Sequence, residues 1–205
     1  MTVSSPQAVN HHADRPGFAG LTGLLAAATM LVVGRSRACL IVDLASVSGT
    51  DRVVDIGCGP GSAVRAAARR GAQVTGVEPA PVMRRLARLI TRDDADVVWL
   101  AGTAEDMRLP NGSATVAWSL ATVHHWKDVT AGLAEARRVL ASRGRFLVVE
   151  RCVHPGANGL SSHGWTEQQA ASFAAQCRAA GFESVSTEQR ATGRHKVWVV
   201  RAIRS

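Results

Sequence analysis

Apolar and polar residues change rhythm near residue 50. Before it, residues 1–16 are polar and read as a mobile tail, followed by helices over about 17–34 and 36–47. From Asp51 short β-rich runs alternate with helical ones. The strands expected are 53–56, 73–77, 97–101, 114–121 and 145–151. Between them, 62–70 is an alanine-rich helix stopped by Gly71, and Pro81 opens another, where a missing N–H costs nothing. That helix has Val82, Leu86, Leu89 and Ile90 at helical spacing; 128–140 has Val129, Leu133, Ala136 and Leu140 along one stripe. Thr166 and Gln169 form a capping box for a helix running to Gly181, and strands at 182–187 and 196–201 close the chain. The pattern predicts an α/β fold, a doubly wound Rossmann-like sheet in which ligands bind beyond the carboxyl ends of the strands. Residues 1–50 would form a tail and helical lid over the substrate pocket, and 51–205 the core.

Composition narrows the class. The chain has 205 residues, 46% hydrophobic and 20% charged, enough for one folded domain. Lys and Arg outnumber Asp and Glu by 24 to 16, yet the arginines are scattered and no run of like charge forms a nucleic-acid arm. Cys39, Cys58, Cys152 and Cys177 make no CxxC pair, which suits free thiols in a reducing cytoplasm. The uncharged stretch 18–33 is shorter than the about 20 residues of a spanning helix. It is expected to pack on its own domain, with peripheral lipid contact as the alternative.

The segment VVDIGCGPGS (53–62) ends a strand in Gly57, Gly59 and Gly61 and opens a helix. Glycines there admit positive φ and bring a ligand close to the backbone. The GxGxG spacing and Pro60 argue against a dinucleotide, whose fingerprint needs a glycine at position 62, where Ser62 stands. Glu78, followed by Pro79, ends the second strand, where a carboxylate can take both hydroxyls of a ribose.

These features, with Gly102-Thr103-Ala104-Glu105 and RRVLASRGRFLVVE (137–150), resemble the class I S-adenosylmethionine-dependent methyltransferases, within them the type 11 group with its quinone and other small-molecule members, in an actinobacterial-looking form. The resemblance covers about residues 50–201. It implies a seven-stranded, mostly parallel sheet with an antiparallel final strand, and S-adenosylmethionine as cofactor with S-adenosylhomocysteine as product. By the same resemblance Asp55 and the turn of Gly57, Cys58, Gly59 and Gly61 would hold the methionine portion. Glu78 and Pro79 would flank the ribose, and Ser119 would line the reactive methyl. Thr103-Ala104 stands where the family usually reads adenine with an Asp-Ala pair; Glu105 or Asp106 could replace that carboxylate.

A sulfonium methyl is already activated, so aligning an acceptor can suffice for transfer. His124 and His125 are candidate bases for a protonated acceptor, since a neutral imidazole accepts a proton near neutral pH. Trp126, His163 and Trp165 are candidate acceptor contacts; Trp99, Trp118 and Trp198 read as core. The seven histidines show no HxxxH or Cys-His spacing, so no metal site is expected. The expected activity is methyl transfer to a small, partly apolar acceptor. A nucleic-acid methyltransferase and a non-catalytic cofactor-binding protein are the alternatives, and the oligomeric state is left open.

Overall fold

A computed structural model describes residues 8–13, 34–91, 96–193 and 195–205. In chain order its elements are α1 (Arg35–Leu44), β1 (Arg52–Ile56), α2 (Ser62–Ala68), β2 (Gln73–Val77), α3 (Pro81–Thr91), β3 (Val97–Leu100), β4 (Ala114–Leu120), α4 (Val129–Val139), β5 (Leu140–Arg151), α5 (Glu167–Ala179), β6 (Phe182–Thr192) and β7 (His195–Arg204). Single 3-10 turns occupy Val123–His125 and Gly159–Ser162.

The seven strands lie in the order β3-β2-β1-β4-β5-β7-β6. β1 to β5 are mutually parallel, and β7 runs antiparallel between β5 and β6. The winding reverses between β1 and β4, and at their carboxyl ends such sheets generally bind ligands. Strand β4 is apolar because both its faces are covered, with Val116, Ala117 and Trp118 fully buried. One layer joins α1 and α2 to the sheet through Ile41, Val64, Trp118 and Val199. The other joins α4 and α5 through Leu133, Phe146, Phe173 and Val200. The capping box of α5 forms as expected: Thr166 Oγ1 accepts the Gln169 amide while Gln169 Oε1 accepts that of Thr166.

Four expectations change. Strand β5 begins at Leu140, directly after α4, because Leu140 already pairs with Ala114 before an irregularity resets the register. The closing strands are longer than their apolar runs, since β6 is a polar edge strand whose antiparallel ladder with β7 continues to Thr192 and His195. Helix α3 buries Met83 and Ala87 and leaves Leu89 70% exposed, so its packed face is rotated from the Val82-Leu86-Leu89-Ile90 stripe. Residues 8–13 are docked rather than mobile: Val9 is buried, its carbonyl accepts the Trp165 indole N–H at 2.9 Å, and Gln169 Nε2 donates to the Ala8 carbonyl. Helix α1 packs into a core layer through Ala38, Ile41 and Val42. The apolar helix expected over 17–34, and the lid it would form, lie outside the described residues. Among the described helices none is long and apolar enough to cross a membrane.

Candidate functional site

The glycine turn after β1 has the left-handed backbone its composition requires, with φ of 74° at Gly57, 53° at Gly59 and 79° at Gly61. Space beside two of these glycines is filled by protein. A Cβ at Gly57 would meet Thr122 at 2.8 Å, and one at Gly61 would meet the Trp99 ring at 2.1 Å. Thr122 is itself fixed, donating to the Ile56 carbonyl at 3.0 Å, so the hydroxyl of buried Ser119 must donate to Thr122 Oγ1 at 2.6 Å. At Gly57 and Gly61 the absent Cβ therefore also serves close packing against Thr122 and Trp99.

The ligand-seeking groups are the two carboxylates beside the turn. Asp55 is buried at the end of β1, and its Oδ1 has no hydrogen-bond partner. Burial raises its pKa to about 7; the Trp118 indole N–H, close enough to favour the carboxylate but outside full hydrogen-bond geometry, opposes the rise and the Glu78 charge adds to it. A buried acceptor left unmet costs on the order of 1–3 kcal/mol, so this atom is poised for a donor. Glu78 is buried at the end of β2, with Oε2 accepting the Gly59 amide at 3.0 Å and Oε1 the Ala80 amide at 2.9 Å. Burial raises its pKa too, against those amides and the nearby Arg84 guanidinium. Each carboxylate oxygen has a second lone pair, so the backbone bonds orient Glu78 without exhausting it. Burial also pushes the Cys58 thiol well up, leaving it an inert part of the turn.

Beyond β3, the turn of 103–106 closes on itself through Thr103 N–H to the Asp106 carbonyl. Ala104 is buried. Glu105 Oε1 accepts the amides of Lys127 and Asp128, tying this turn to the approach to α4. Asp106 pairs with Arg108 at the surface. Of the two carboxylates considered for the adenine edge, Glu105 is thus held by the backbone and Asp106 is turned to solvent.

Two expected acceptor contacts are core residues. Trp165 is fully buried, its ring tilted against that of Phe173 with centroids 4.8 Å apart. Trp126 packs where Gly132 has no Cβ, 2.5 Å from the position one would occupy. Neither leaves surface for an acceptor. Trp99, Trp118 and Trp198 are core as expected.

His124, His125 and His163 do come together, and His12 from the N-terminal segment joins them. His124 is buried with Nδ1 2.9 Å from Glu150 Oε2, while Glu150 Oε1 accepts the Val123 amide. That pairing puts the proton on Nδ1 and the lone pair on Nε2. Burial, followed by the neighbouring His124, lowers the His125 pKa to about 4, so this ring stays neutral. Sequence reading passed over His12 and Glu150; the only trace was a His11-His12 doublet in a polar tail and a Glu ending an apolar strand.

Residues 54–148 match the family described as a methyltransferase domain, of the type 11 group. The chain carries a stretch similar to that methyltransferase domain over these residues. It is similar to the demethylmenaquinone methyltransferase of Tropheryma whipplei, 30% identical over 57% of this chain and 47% of that protein. It is also similar to the 27-O-demethylrifamycin SV methyltransferase of Amycolatopsis mediterranei, 34% identical over 55% of this chain and 43% of that one. The chain thus spans less than half the length of either relative. An S-adenosylmethionine-dependent methyltransferase of Aquifex aeolicus shares the fold, with a TM-score of 0.65 at 15% identity over 78% of this chain and 84% of that one. The cofactor of this family is S-adenosylmethionine, and the residues present suit it. The unmet Asp55 oxygen matches an amino-acid ammonium, and Glu78 at the neighbouring strand end matches a ribose diol.

Proposed function

We propose that this protein transfers a methyl group from S-adenosylmethionine to a small, partly apolar molecule by in-line displacement, releasing S-adenosylhomocysteine. The observation that carries the reading is the buried, unpartnered Asp55 oxygen beside Glu78 at the winding reversal. S-adenosylmethionine, when bound, supplies a methyl group already activated on a sulfonium. Asp55 would hold its amino group, the turn of Gly57, Cys58, Gly59 and Gly61 would border the rest of its methionine portion, and Glu78 and Pro79 would hold its ribose. Thr103 and Ala104 would border the adenine, and Ser119 the reacting end. Alignment of the acceptor behind the methyl carbon in a dry crevice can supply roughly 7–11 kcal/mol. For a hydroxyl acceptor His124 is the better-placed base of the histidine pair, because Glu150 orients it as an acceptor at Nε2. The acceptor class rests on what the relatives' names describe, demethylmenaquinone and 27-O-demethylrifamycin SV.

The formal charge of +8 favours RNA as the competing acceptor. Arg52, Arg65, Arg84 and Arg88 each donate to backbone carbonyls, of Ser113, Pro60, Glu78 and Trp99 respectively, which ties these four guanidiniums to the fold while leaving them charged. Turnover of phenols, quinols, hydroxy acids and amines, read as S-adenosylhomocysteine release, tests the proposal. Release with a quinol or phenol supports it. Cofactor binding without release on any acceptor overturns it in favour of a non-catalytic binder, and RNA methylation that weakens steeply with salt overturns it in favour of a nucleic-acid enzyme.

A further inference from the structure

We propose that His12, His124, His125 and His163 form a binding site for a divalent transition metal ion, zinc in its four-coordinate form, that clasps the N-terminal segment onto the carboxyl ends of β4 and β5. One nitrogen from each ring lies within 4.8 Å of the other three. Tetrahedral zinc with Zn–N of about 2.0–2.1 Å separates its ligands by about 3.3 Å, so small ring rotations close the set. The residues come from three places far apart in sequence: the docked segment 8–13, the turn after β4, and the loop between β5 and α5. Chance packing of polar side chains does not require these to converge.

The hydrogen bonds of the ring nitrogens are the second observation. Ser162 Oγ donates its one proton to the Gly159 carbonyl at 2.7 Å, so at the 3.1 Å contact His12 Nε2 must be the donor. That leaves the His12 lone pair on Nδ1. His124 Nδ1 donates to Glu150. His125 Nδ1 faces the His12 carbonyl at 3.4 Å, a partner that only accepts. Three of the four tautomers are thereby fixed by carbonyl, hydroxyl or carboxylate partners, which is how metal-binding histidines are oriented in proteins. His11 is the contrast: Nε2 faces the Ser162 carbonyl and Nδ1 the Gln169 amide, so both nitrogens are spent, and it stands outside the set.

Four neutral imidazoles leave a doubly positive ion uncompensated, and the fully buried Glu150 carboxylate supplies the nearest counter-charge through His124. Imidazole ligands suit zinc, copper, iron and nickel, and a closed set of four selects the tetrahedral ion. The ion would occupy the Nε2 lone pairs of His124 and His125, so the loaded protein transfers methyl groups by alignment alone. The site itself does not depend on the methyltransferase reading.

The test uses the full chain without an affinity tag, stripped by a chelator and reloaded with Zn2+ or with Co2+ as the spectroscopic probe. Expected are one ion retained per chain, the visible absorption of tetrahedral Co2+, and a rise in Tm on loading. His163→Ala, at a half-exposed position, should bind at least tenfold more weakly. Glu150→Gln should weaken binding about 10–100-fold, and the exposed His154→Ala should bind as the wild type does. No retained ion in the wild type, or wild-type affinity in a folded His163→Ala, overturns the site. S-adenosylmethionine affinity measured on the same samples reports separately on the methyltransferase reading.

Discussion

Replacing Asp55 by Asn should stabilise the protein and impair it. In the ligand-free protein burial lifts the Asp55 pKa from its ordinary 3.8 to about 7. Between those values the folded chain keeps a proton that the unfolded chain has lost. Stability therefore falls as pH rises from about 4 to about 7, and is level above that. At 1.36 kcal/mol per pH unit the interval costs about 4 kcal/mol by pH 8. An amide escapes that cost but brings donors of its own to be met, about 1–3 kcal/mol. The net expectation for Asp55→Asn at pH 8 is a gain of about 1–3 kcal/mol, or about 2–10 °C in Tm. Cofactor binding should move oppositely. The ammonium of S-adenosylmethionine pairs with the ionised form only, so wild-type affinity should climb up to tenfold per pH unit below 7 and level off above it. Asp55→Asn should lose a charge-assisted hydrogen bond of about 1.5–3 kcal/mol, roughly 10–100-fold, and the pH dependence with it. Calorimetric titration at pH 6, 7 and 8, in buffers of different ionisation enthalpy, measures both affinity and proton release. Equal wild-type affinity at pH 6 and 8 without proton release, or Asn binding as tightly as Asp, would refute the assignment of Asp55 to the ammonium.

Glu78→Ala should weaken S-adenosylmethionine binding by about 2 kcal/mol, roughly thirtyfold, while Glu78→Gln, which keeps one carbonyl acceptor, should lose less; calorimetric affinities decide. Gly61→Ala should destabilise by about 3 kcal/mol or more, because it combines a φ of 79° with a Cβ in contact with Trp99 at 2.1 Å. Denaturant melts of Gly61→Ala, Trp99→Ala and the double variant should show strong non-additivity, since removing the ring relieves the clash; simple additivity would contradict the packing role of that glycine. Turnover by His124→Ala/His125→Ala, measured on metal-free protein with a hydroxyl acceptor, should fall about 10²–10⁴-fold if the pair removes the proton; unaltered turnover would leave alignment as the whole mechanism.

Much of this protein is local and hence readable in its sequence. Five strands joined by helices except between β3 and β4, the Thr166/Gln169 capping box and the glycine turn follow from periodicity, capping chemistry and positive φ, all set within a few residues. The carboxylates Asp55 and Glu78 were legible for the same reason, each ending a strand whose position in a doubly wound sheet follows from order alone. What occupies the Cβ side of a glycine is a matter of long-range packing: Thr122 packs beside Gly57 and Trp99 beside Gly61, which the motif does not record. Trp126 and Trp165 became core residues because α4 and α5 cover them, which no spacing records. The histidine cluster is the furthest case. His12 and His163 are 151 positions apart and meet only because the N-terminal segment and the loop before α5 both fold over the end of β4. Local pattern dictates which elements form, but side chains from distant elements become neighbours only when burial of the shared apolar faces brings those elements together.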